Sequence, residues 1–173
     1  TGLPWHQLVS ENISRPLGMV DTGIEATERS GLANSYITRS LITRVVMGAA
    51  IPWLTFSREG DYRRLSPDYY FDLPAHGGLI TTGADMQLFS RAVLSSDRRL
   101  LAASGWEQWM TPQAVALEEY ALGWRVETGD YGRELYHTGG AMGHSAQLRI
   151  YRDQGVATFV QTNLLDSKKT VRR

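Results

Sequence analysis

The sequence predicts an α+β fold in which helices come first, an antiparallel sheet comes last, and the helices flank the sheet. Three observations carry that reading. Thr82 with Asp85 three residues later resembles a capping box, and Met86, Phe89, Ala92 and Val93 follow at helical spacing. The stretch "RDQG" separates two strand-like runs, Ser145 to Tyr151 and Val156 to Thr162, and its Asp153 and Gly155 suit a hairpin turn. Hydrophobic residues make up 42% of the 173 residues and charged residues 21%, enough apolar material for one globular domain with a sizeable core.

Taken in order, Pro4 to Ile13 suits a short helix with Pro4 in its first turn, where a missing N–H costs little. That helix should end before Pro16, because the residue preceding a proline avoids helical geometry. "RPLGM" then reads as a turn, and Ser30 to Val46 has a mixed periodicity that is partly helical. The longest apolar run, "VVMGAAIPWLTF" from Val45 to Phe56, contains Pro52 and is too short for a bilayer span, so it reads as buried or interfacial. Charge, tyrosine and proline dominate Ser57 to Pro74, which reads as a surface connection or a lid. Gly77-Gly78 makes a backbone turn before the capped helix. Ser104 with Glu107 repeats the capping signal at a second short helix closed by Pro112. Tyr120 to Glu127 reads as a strand and Gly129 to Gly132 as the turn after it.

Charge and composition narrow the function classes. Lys and Arg total 18, as do Asp and Glu, so the formal net charge is zero and there is no electrostatic case for a nucleic-acid partner or an acidic lipid surface. The only lysines are Lys168 and Lys169 near the C-terminus, which leaves none inside the globular part for catalysis. The chain contains no cysteine, which excludes disulfides, thiolate chemistry and cysteine metal sites. The four histidines show no metal-ligand spacing. A start at Thr1 without Met, with no charged-then-apolar leader, reads as a processed or excised piece.

Four segments stand together in a recognisable order: "TGLPWHQLVSENISRPLGMVDT", "HGGLITTGADMQLFSRAVL", "YALGWRV" and "YHTGGAMGHSAQLRIYRDQGVATFVQTN". They cover about half the chain. In this order they resemble the C-terminal half of the serine β-lactamase and penicillin-binding-protein superfamily, nearest the class C β-lactamase-like esterases, D-aminopeptidases and D-alanyl-D-alanine carboxypeptidases. The resemblance implies a partial serine β-lactamase/transpeptidase-like fold, with residues 1–173 as the C-terminal portion of a single domain. Such enzymes use a Ser-x-x-Lys nucleophile pair, a Tyr-x-Asn or Ser-x-Asn element and a Lys-Thr-Gly strand. His137-Thr138-Gly139 matches the His-Thr-Gly form of the third. No serine here has lysine three positions on and no tyrosine has asparagine two positions on, while Ser10-Glu11-Asn12 fits Ser-x-Asn only out of family order.

The resemblance therefore assigns this chain one wall of an active site. It implies that His137 contacts a polar or anionic substrate group or steers protons, and that Thr138 hydrogen-bonds the same end of the substrate. Gly139 would let substrate approach the backbone closely. The N–H of Gly140 would be a donor of the oxyanion hole, a kind of contact that contributes about 3–4 kcal/mol in acyl transfer. His144 would line the cleft or serve the strand end. Histidine in place of lysine weakens fixed positive charge at neutral pH, which points to ester, amide or D-amino-acid peptide substrates over efficient β-lactam hydrolysis. No cofactor or metal is implied. A small-molecule or peptide substrate is expected, with no membrane contact. A second copy of the chain or a companion N-terminal segment would cover an exposed sheet edge. The resemblance favours a bacterial periplasmic or secreted location over the cytoplasm.

Two other function classes stay open at this level. One is a non-catalytic binding or regulatory relative that keeps the cleft wall without a nucleophile. The other is an N-terminal nucleophile hydrolase using Thr1 and its own amine. Other residues have ordinary readings: His76 packs beside the Gly77-Gly78 turn, His6 lies on the helix surface, and Asp85 is a helix cap. Trp5, Trp53, Trp106, Trp109 and Trp124 are core or rim aromatics, with Trp53, Tyr62, Tyr69 and Tyr70 as an alternative hydrophobic substrate wall. Arg149 and Arg152 are read as solvated strand-flanking residues.

Overall fold

In a computed structural model the described residues are 2–24, 31–38, 56–65, 77–113, 120–141 and 143–165. Most of the apolar run from Val45, together with His76, Trp53, Tyr69, Tyr70 and Thr1, lies outside them. The helical part consists of α1 (Trp5–Val9), a π-helical turn (Ser10–Ser14), α2 (Arg15–Leu17), α3 (Gly83–Ser95) and α4 (Ala103–Met110). Among the described residues eight strands form two sheets: β1 (Tyr36–Thr38), β2 (Phe56–Glu59), β3 (Tyr62–Leu65) and β8 (Leu164–Leu165) in the order β2-β3-β1-β8, and β4 (Arg125–Gly129), β5 (Gly132–Ala141), β6 (His144–Tyr151) and β7 (Val156–Thr162) in sequence order. The α+β expectation holds, with one parallel pair, β1 with β8, among antiparallel neighbours.

The first helix runs farther than its proline predicts. It passes through Pro16 and closes at Gly18, which adopts φ 74° and returns its N–H to the Arg15 carbonyl. The π turn just before Pro16 supplies the reason: a wider turn absorbs both the missing donor and the bulk of the ring. Thr82 caps α3 as expected, its side chain accepting the Asp85 N–H at 3.2 Å. The second capping box fails. Ala102 is the N-cap of α4, Ser104 lies inside the helix, and no side chain caps it. Instead of the expected surface connection from Ser57, residues up to Leu65 form a hairpin with Phe56 paired to Leu65, and the rest of that stretch, 66–74, lies outside the described residues.

The predicted strand over Tyr120–Glu127 also divides. The Ala121 N–H donates to the Trp124 carbonyl at 2.7 Å and Gly123 takes φ 84°, closing a tight turn, and β4 starts at Arg125. The turn over 129–132 and the "RDQG" hairpin both form as read, the latter as one 3₁₀ turn ended by Gly155 at φ 65°.

The chain divides into two compact units. One comprises Thr1–Ile24, Leu79–His137 and Gln147–Phe159; the other comprises Glu25–Gly78, Thr138–Ala146 and Val160–Arg173. In the first, Val93 of α3 and Trp106 and Met110 of α4 bury against Val126, Leu135, Leu148 and Ile150 of the sheet. Trp109 meets Trp106 and Trp124 edge-on at 5.1 and 5.2 Å, packing that adds to simple area burial. Asp85 does more than begin a helix: its buried carboxylate accepts the Asp21 N–H at 2.8 Å and the Thr22 hydroxyl at 2.7 Å, fastening the 21–22 loop to α3. In the second unit Ile37 and Leu65 are almost fully buried. Among the described residues no helix is long and apolar enough to cross a membrane.

Candidate active site

Strand β5 carries the His-Thr-Gly-Gly segment at its C-terminal end. The two-residue period of a strand puts Leu135 and His137 on one face and Glu134 and Tyr136 on the other. Leu135 enters the core, so His137 emerges on the same face just past the core's edge, where it is exposed. Its Nε2 lies 2.9 Å from the Tyr120 hydroxyl, with the rings edge-on at 6.3 Å.

Tyr120 is a functional candidate that the sequence reading missed, although it opens the "YALGWRV" segment. Bridges to Gln113 and Arg125 hold its backbone from both sides, and the Gln113 N–H donates to its carbonyl at 2.8 Å. The tight turn that follows seats Trp124 in the core, so the phenol hydroxyl is presented to His137 from a fixed base. A histidine with one ring nitrogen committed to a hydroxyl has a restricted ring orientation.

The boundary between the two units falls between His137 and Thr138. Thr138, Gly139 and Gly140 are exposed on the last part of β5. Among the described residues, a Cβ placed on Gly139 would meet nothing nearer than the Ala146 Cβ at 3.9 Å, which is ordinary contact. Gly143 is the opposite case. It takes φ 79°, and a Cβ would collide with the Ser35 Cβ and come within 2.6 Å of Leu65 Cδ1.

His144, next in sequence, is half-buried, and its Nε2 lies 2.6 Å from Ser35 Oγ. Burial holds its pKa below the usual histidine value by disfavouring the imidazolium. Ser145 Oγ donates to the Leu164 carbonyl at 3.2 Å. The β5–β6 turn is thus seated against β3, β8 and the loop before β1 by three consecutive residues, all within one unit.

Two arginines leave the solvated role expected of them. Arg149 is half-buried, pairs with the buried Glu134 carboxylate and lies 4.8 Å from the centre of the Tyr136 ring. Arg152 lies half-buried in a cavity beside Met110 and Ser96. His6 is exposed on the first helix, as read.

The model of the family described as Beta-lactamase matches residues 1–173. Among solved structures, a D-stereospecific amidohydrolase from Streptomyces sp. aligns with TM-score 0.69 at 23% identity, covering 95% of this chain and 45% of the other. The octameric penicillin-binding protein homologue from Pyrococcus abyssi aligns with TM-score 0.70 at 16% identity over 94% and 34%. D-amino acid amidase from Ochrobactrum anthropi SV3 aligns with TM-score 0.68 at 20% identity over 94% and 47%. The chain therefore spans less than half the length of each of these structures. Curated protein sequences give no match.

Proposed function

Because the chain belongs to the Beta-lactamase family, a family of serine hydrolases, we propose that it supplies one wall of an active site that works through an acyl-enzyme on ester, amide or D-amino-acid peptide substrates. The observation that carries this reading is the end of β5: an exposed His137 that meets Tyr120, followed by the exposed Thr138, Gly139 and Gly140, with no described residue crowding a Cβ at 139. A strand edge kept free of side chains is what a substrate lying along it needs.

On this reading residues 1–173 are the C-terminal portion of one domain, and the nucleophilic serine with its lysine belongs to the rest of the polypeptide. The serine oxygen attacks the acyl carbonyl, and its proton passes to the neighbouring base. The Gly140 N–H donates to the oxygen as charge gathers on it. The leaving group departs with a proton, and water then releases the acyl group. His137 contacts the polar end of the substrate or moves a proton there, and Thr138 donates to the same end. His144, whose Nε2 meets Ser35 Oγ, lines the cleft or holds the strand end on this reading.

The test uses the natural polypeptide that contains this chain. It is assayed with ester and D-amino-acid amide substrates while intact mass is recorded for acylation. The expected result is an acyl adduct on a serine outside residues 1–173, and a loss in kcat/KM of about 10²-fold or more in Gly140→Pro, which removes the N–H. Binding of such substrates with neither turnover nor an adduct would overturn the catalytic reading in favour of a silent binding relative.

A further inference from the structure

A cavity of about 630 Å³ lies between α3, α4 and the adjoining ends of β5 and β6, within a single unit. That size falls in the range of small-molecule sites. Arg133 on β5 and Arg152 after β6 both line it, and both reach the same neutral residue. Arg133 Nη2 donates to the Met110 carbonyl at 2.5 Å, and Arg152 Nη1 approaches Met110 Sδ at 2.9 Å. The second amino group of Arg152 donates to Ser96 Oγ at 2.6 Å.

Glu107 and Asp153 line the same cavity, yet among the described residues neither forms an ion pair with either arginine. A thioether is a weak acceptor, and Arg152 Nε is buried with no hydrogen-bond partner among the described residues, so this guanidinium has a donor left unused. Ser96, the left-handed C-cap that closes α3 at φ 52°, turns its hydroxyl to Arg152. The apolar side chains of Trp106 and Leu135 complete the lining.

We propose that this cavity binds the oxyanion of a small molecule, a carboxylate or phosphoryl group, clamped between Arg133 and Arg152. Guanidinium groups present paired N–H donors that match the oxygens of such groups, and an oxyanion between two of them would take the Arg152 donor that has no partner and replace the thioether as acceptor. The site is separate from the His137 segment, so it stands whether or not the hydrolase reading does.

The test is NMR titration of the 173-residue chain with inorganic phosphate and, separately, with acetate, at constant ionic strength. Saturable shifts are expected at the Arg133 and Arg152 Nε–H resonances and at the Ser96 amide. The apparent Kd should weaken at least tenfold in Arg133→Gln and in Arg152→Gln. Saturation by phosphate alone assigns a phosphoryl group, by acetate alone a carboxylate, and by both the oxyanion class. Because Arg133 is exposed, Arg133→Gln keeps the fold and decides the matter if Arg152→Gln does not fold. Shifts that stay linear in both titrations, or a Kd unchanged in Arg133→Gln, would overturn the proposal.

Discussion

Two glycines and two histidines on one hairpin show how differently identical residues are used. No described residue crowds a Cβ at Gly139, whereas Gly143 is dictated by both conformation and space, with Ser35 and Leu65 directly against it. His137 is exposed and meets a phenol, while His144 is half-buried and meets a serine hydroxyl. The environment of His144 gives a pH dependence with a definite sign. Its folded pKa lies below the unfolded value of about 6.5, so the unfolded chain takes up the proton first. Stability is therefore intact above about pH 6.5 and falls as pH drops from there through the lower folded value. His144→Gln, which can still bond Ser35, should flatten that part of the curve in urea denaturation measured between neutral and mildly acidic pH. A variant that loses stability with the same slope would show that another group is responsible.

At the scale of elements, local chemistry explains most of what forms and what does not. Thr82 caps α3 because its extended backbone lets the hydroxyl face the Asp85 N–H. The same pattern at Ser104 fails because the chain enters α4 two residues earlier, at Ala102. The 120–124 turn matters most for the site, since it separates Tyr120 from β4 and directs its hydroxyl at His137. Removing that hydroxyl leaves the rings in contact and deletes one hydrogen bond worth about 1 kcal/mol. In the natural polypeptide, Tyr120→Phe should lower kcat/KM about five- to tenfold while lowering the unfolding temperature by no more than about 2–4 °C. The His137 ring ¹⁵N shifts should change in the same variant, reporting a loss of tautomer preference. Unaltered shifts would mean the contact does not orient the ring.

For the molecule as a whole, the outer strand of the larger sheet sets the expectation. Strand β7 ends the order β4-β5-β6-β7 and has no further strand beside it among the described residues, with Val156 and Val160 47% and 43% exposed. An open edge bearing apolar side chains is a template for pairing, and proteins cover or charge such edges. The edge therefore predicts that another strand pairs with it. The isolated chain should therefore self-associate in sedimentation velocity at micromolar concentration, and Val160→Lys should shift it toward monomer. A monomer at all concentrations would argue against this edge as an interface.

What the sequence determined by itself was local or motif-borne: the α3 cap, the "RDQG" hairpin, the 129–132 turn, the α+β order and the family carried by the four segments. These depend on residues within a few positions of one another, so propensity and pattern contain them. The continuation of the helix through Pro16 escaped because a π turn rescued what proline ordinarily breaks. Tertiary structure alone decided which side chains meet. Tyr120 and His137 are 17 positions apart, and Ser35 and His144 are 109 apart. Arg133 and Arg152 converge on Met110 from 23 and 42 positions away. Such contacts are set by how strands register and how helices bury against them, and no periodicity along the chain encodes them.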